Sequence, residues 1–169
     1  MDDREIVERQ LGRPPRAFRR VAVRCPYGAP AVTEQEPYDE HGQPFPTTYY
    51  LTCPHLVAAV ARLEAGGGVE RWSAEVGRDR TLAESLELGN EQQRMIRRAL
   101  HRGRPGADGG ASIELGVGGA SPRARRLKCL HAHAAFALAR PGYELGERIL
   151  DELELPWPRQ GCCMTVRGE

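Results

Sequence analysis

At 169 residues the chain is long enough for one domain with a single core of moderate size. Its 24 lysines and arginines against 23 acidic residues leave a net charge of +1, which removes nonspecific binding to nucleic acid or to an acidic membrane as a default. No run approaches the ~20 apolar residues of a membrane span. The start Met1-Asp2-Asp3-Arg4-Glu5 lacks the basic-then-apolar layout of a secretory signal, so a cytoplasmic protein is expected.

In chain order, Asp3 to Leu11 reads as a short amphipathic helix with Ile6, Val7 and Leu11 on one side, ended by Gly12 to Pro15. Ala17 to Arg24 alternates Phe18, Val21 and Val23 with arginines, the pattern of a strand. Pro26 to Pro30 is a turn, Ala31 to Thr33 a short strand, Gln35 to Pro46 a polar loop, and Thr47 to Thr52 a strand. A helix starts at Pro54, which places Cys53 at its N-cap, and Gly66-Gly67-Gly68 stop it. A short helix over Val69 to Val76 precedes the longest one, Leu82 to His101, where Thr81 and Glu84 match a capping box. Gly103 to Gly119 is a glycine-rich loop with a short strand at Ile113 to Leu115. Ser121-Pro122 opens a helix continuing to Ala139, Tyr143 to Leu153 forms another, and residues 156–169 are an irregular tail. Helices gathered around a few short strands predict an α+β fold in a single domain over 1–169.

The five cysteines carry the chemistry. In a reducing cytosol they point to metal or redox chemistry rather than to disulfides, although free cysteine is also a common small core residue. A helix running from Pro122 stacks Cys129 and His133 on one face, four residues apart, with His131 roughly 200° away. Cys53 at a helix N-cap meets unpaired N–H groups and the positive end of the dipole, both of which favour thiolate. Cys25 ends a strand and is aimed by Pro26. Of the adjacent pair at the end of the chain, Cys163 is taken over Cys162. The expected metal set is therefore Cys25, Cys53, Cys129, His133 and Cys163, with zinc ahead of iron–sulfur. None of these forms a close Cys-x-x-Cys pair.

A second candidate is an anion cradle at Gly116, Gly118 and Gly119 leading to Arg123 and Arg126, where consecutive N–H groups and a helix N-terminus would hold a small phosphate- or carboxylate-bearing ligand. It is neither a P-loop nor a dinucleotide fingerprint. Lys128, the single lysine of the chain, is placed to position negative charge, and His131 is a base, a group behind the metal ligands or a satisfied core histidine. Together these predict a metal centre beside an anion site, suited to metal-assisted hydrolysis or sulfur transfer. One alternative is a regulatory or interaction protein with a structural metal. Another is a cysteine-nucleophile enzyme using Cys53 or Cys129.

The stretches Arg24-Cys25-Pro26-Tyr27-Gly28-Ala29-Pro30, Pro44-Phe45-Pro46-Thr47-Thr48-Tyr49-Tyr50-Leu51-Thr52-Cys53-Pro54, and Gly118-Gly119 through Lys128-Cys129-Leu130-His131 resemble the bacterial domain-of-unknown-function 501 family, common in actinobacteria. The resemblance spans nearly the whole chain and implies a cytoplasmic protein of unassigned activity. It also implies an exchange of histidine for cysteine at position 53, which suits zinc, and it stresses Lys128, Cys129 and His131 rather than His133. Both histidines stay among the candidates.

Overall fold

The computed structural model describes residues 1–104, 106–122 and 124–164. Helix α1 covers Asp3–Leu11. Strands β1 (Phe18–Arg24), β2 (Pro30–Gln35) and β3 (Tyr49–Leu51) follow. Then come α2 (Pro54–Ala65), α3 (Gly68–Arg78) and α4 (Arg80–His101). Two 3-10 turns, Ala111–Glu114 and Val117–Gly119, precede α5 (Leu130–Ala139) and α6 (Glu144–Asp151). The fold is α+β.

The three strands form an antiparallel sheet in the order β1-β2-β3, with Val32 opposite Leu51 and Glu34 opposite Tyr49. β2 is central and buried at every position, which explains why its apolar start continues as Thr33-Glu34-Gln35 without reaching solvent. Glu34 is tolerated there because Arg19, Arg20 and the Tyr49 hydroxyl surround its carboxylate. β1 is an edge strand whose register with β2 shifts in three places and whose arginines face solvent, features that discourage pairing with another chain.

α5 is the central helix. Leu130 and the run from Ala132 to Ala137 are all buried, so it has no solvent face, as expected of a helix dominated by alanine, leucine and phenylalanine. Phe136 packs edge-on against Tyr49 of β3 and against Tyr143, which precedes α6. α6 approaches α5 closely at Gly146, where a Cβ would stand 2.4 Å from the His133 carbonyl oxygen, so the crossing requires glycine.

Three expectations about elements are corrected. α5 begins at Leu130 rather than Pro122, because residues 124–129 run as irregular chain. Ile113 to Leu115 lies in and after a 3-10 turn rather than in a strand. α4 is capped by Asp79, whose carboxylate accepts from the Thr81 and Leu82 N–H groups, and not by Thr81 with Glu84. α4 runs unbroken through Gly89, where the Tyr143 ring fills the space a side chain would need.

Candidate thiol centre

The N-terminus of α2 brings two cysteines together. Cys53 is its N-cap, as the following proline predicts, and is 2% exposed. Its backbone is fixed: its N–H donates to the Ala31 carbonyl and its own carbonyl accepts from Val57. The Cys163 sulfur lies 3.7 Å from the Cys53 sulfur, although 110 residues separate them in sequence. The segment after α6 carries Cys163 there through two contacts. His55 Nε2 donates to the Leu155 carbonyl at 2.7 Å, and the Tyr27 hydroxyl donates to the Pro158 carbonyl at 2.5 Å. Trp157 and Cys162 pack against the core beside them.

Burial changes the chemistry expected of Cys53. It pushes the thiol up to about 11, with the Leu56 N–H pulling the other way, the nearby Cys163 adding to the rise, and the His55 N–H opposing it last. The helix dipole therefore does not make Cys53 a standing thiolate, because desolvation outweighs it. Cys163 is exposed.

The other proposed ligands have different surroundings. Cys25 is buried at the end of β1, where its N–H donates to Ala29 and its carbonyl accepts from Gly28 in the turn that the proline and glycine predict. Cys129 is the N-cap of α5 with extended backbone, so it does not share a helical face with His133. Burial raises its thiol, against which the Ala132 and His131 N–H groups and Lys128 act. His133 points into the core, where Nδ1 hydrogen-bonds the Tyr143 hydroxyl at 2.7 Å, and burial depresses it to about 4. Among the described residues, no three histidine, cysteine or acidic side chains converge as a metal would require. Of the five proposed ligands, Cys53 and Cys163 are the pair whose sulfurs meet among the described residues.

Several of the groups expected to act as base and anion cradle have partners within the fold. His131 bridges α5 to α2, with Nδ1 3.1 Å from the Glu64 carboxylate and Nε2 3.2 Å from the Val57 carbonyl, so neither ring nitrogen is left to serve a cysteine. Lys128 donates to the Gly119 carbonyl at 3.3 Å. The Gly116 N–H is taken by Ala120, that of Val117 by the Asn90 side chain, and that of Gly119 by the Gly116 carbonyl. Gly118 and Gly119 both have positive φ, and Gly118 sits against the Cys129 sulfur and Ala132. This turn serves the close packing of the loop on α5, not an outward nest. Arg126 pairs with Glu70, and Arg123 lies outside the described residues.

Four polar residues that sequence reasoning passed over hold this region. Asn90, Gln93 and Arg97 occupy α4 and receive the glycine-rich loop: Gln93 donates to the Leu115 and Gly116 carbonyls, and Arg97 to those of Ser112 and Phe45. Glu64 accepts from the Leu130 N–H at 2.6 Å and from His131, capping α5 from another helix. Only the spacing of Leu82, Leu86, Gly89, Gln93 and Arg97 along one face of α4 hinted that the last two point inward.

A cleft of about 640 Å³ lies on another part of the surface, between residues 14–18, the loop after β2 and the end of α4. Arg4, Phe18, Tyr38, Asp39, His101 and Arg104 help to line it, and it contains none of the residues singled out from the sequence. No helix is long and apolar enough to cross a membrane among the described residues.

No curated protein and no solved structure matches the chain. Residues 21–151, which include Cys53 but not Cys163, match the family model described as protein of unknown function (DUF501), and the chain belongs to that family.

Proposed function

We propose that the protein binds a soft divalent metal ion, zinc in the first instance, through Cys53 and Cys163 at the start of α2, in a cytoplasmic setting that keeps both thiols reduced. The sulfur–sulfur separation of 3.7 Å supports this reading. Two thiolates at ~2.3 Å from a tetrahedral zinc stand about 3.8 Å apart, so the pair already has the spacing of one edge of that coordination sphere. Burial of Cys53 beside apolar neighbours supplies the low-dielectric surroundings in which a thiolate is worth stabilising by a cation.

A coordination position held by water would make the metal reactive or exchanging, whereas four protein donors would make it a closed staple. In the glycine-rich loop foreseen as an anion cradle, the Gly116, Val117 and Gly119 N–H groups already have partners among the described residues. In this reading an anion would meet the metal directly.

The test is metal analysis of protein purified without oxygen or chelator. Wild type should carry one zinc per chain, and Cys163→Ser, which alters an exposed residue, should lose it while keeping its helical circular dichroism. Cys53→Ser should lose it as well. Wild-type protein that neither retains nor takes up zinc would end the proposal.

A further inference from the structure

We infer that Cys53 and Cys163 are also a redox pair, which a disulfide oxidant closes into a disulfide when no metal occupies them, fastening the C-terminal segment over the start of α2. This rests on the pair being the reactive site, as in the reading above, but not on a metal being bound.

The geometry is asymmetric in a way that suits such a pair. The sulfurs are in non-bonded contact at 3.7 Å, and a disulfide needs ~2.05 Å, so closure requires a movement of under ~2 Å. Cys53 is held by two backbone hydrogen bonds at the junction of β3 and α2. Cys163 lies in a segment without helix or strand, so it is the partner that can move. Cys163 is exposed and Cys53 is buried, so an oxidant from solution meets Cys163 first.

With a low-molecular-weight disulfide RSSR as oxidant, the Cys163 thiolate attacks one of its sulfurs. The S–S bond of RSSR breaks, a mixed disulfide forms on Cys163, and one RS⁻ leaves and takes up a proton. The Cys53 thiol, after losing its proton to solvent, attacks the Cys163 sulfur, breaks the mixed disulfide and releases the second RSH. Overall, two protein thiols are oxidised to one disulfide and RSSR is reduced to two RSH.

Cys162 is the competing partner, and its position argues against it. Adjacent residues have Cα atoms ~3.8 Å apart, below the usual disulfide range of ~4.4–6.8 Å. Cys162 also packs toward the core and receives the Met164 N–H on its sulfur at 3.4 Å. Cys163, facing Cys53, is the thiol that geometry selects.

The experiment treats zinc-free full-length protein with excess oxidised glutathione, alkylates the remaining thiols and digests with trypsin. The expected product is a peptide beginning at Gln160 joined by a reducible bond to the peptide running from Cys25 to Arg62. It should persist in Cys162→Ser and vanish in both Cys163→Ser and Cys53→Ser. Glutathione left on Cys163 without transfer to Cys53 would overturn the inference, as would a link retained in Cys163→Ser. Zinc binding without the disulfide would sink this inference alone. The disulfide without zinc binding would uphold it and sink the metal reading alone.

Discussion

His133 sits on the central helix with every neighbouring position buried, and its one polar contact is the Tyr143 hydroxyl. Its imidazole stays neutral well below the ordinary 6.5, at about 4, because burial penalises the cation. The sign for stability follows. Above pH 6.5 neither the folded nor the unfolded chain protonates this group. Between 6.5 and 4 the unfolded chain takes up a proton that the folded one refuses, so stability falls as pH falls. The loss levels off below 4 at about 3 kcal/mol. Urea unfolding at pH 7, 5.5 and 4.5 should show this slope, and His133→Gln, which keeps a polar partner for Tyr143 without titrating, should flatten it. An unchanged slope in the variant would assign the acid sensitivity to other groups.

At the level of elements, the start of α5 explains why the sequence misplaced its chemistry. Ser121-Pro122 is a sound helix-opening signal, yet the chain from 124 to 129 stays irregular and the helix begins only where Glu64 receives the Leu130 N–H. A cap donated from another helix leaves no local trace, because its spacing in sequence is set by tertiary packing. That shift of eight residues removed Cys129 from the face of His133 and dissolved the ligand pair. Glu64→Ala should cost about 1–2 kcal/mol of stability by leaving the Leu130 N–H and the His131 ring without their acceptor. Thermal unfolding would measure it, and Glu64→Gln, which restores one acceptor oxygen, should recover part. No loss in Glu64→Ala would mean that solvent replaces the cap without penalty.

For the molecule as a whole, the helices and strands were legible where periodicity and end signals agreed, as in α1, in β1 and in α2 with its Cys53-Pro54 start. The convergence of Cys53 with Cys163 was legible only as residue type, since nothing local says where an irregular segment returns. The contacts of Leu155 with His55 and of Pro158 with Tyr27 decide it. Deleting residues 155–169 should therefore uncover Cys53 while leaving the sheet and α5 in place. Its alkylation by iodoacetamide should accelerate at least about tenfold if local opening otherwise limits access. An unaltered rate would show that this segment does not shield the thiol.

Neither Cys53 nor Cys129, the N-caps of α2 and α5, gives its own helix a side-chain cap hydrogen bond. A hydroxyl fills that role far better than sulfur does. Serine at position 53 would thus trade a thiol for a better anchor of the same size, and the variant should fold at least as firmly as the parent. Any activity or metal it forfeits would then report on sulfur as an element rather than on damage to the scaffold.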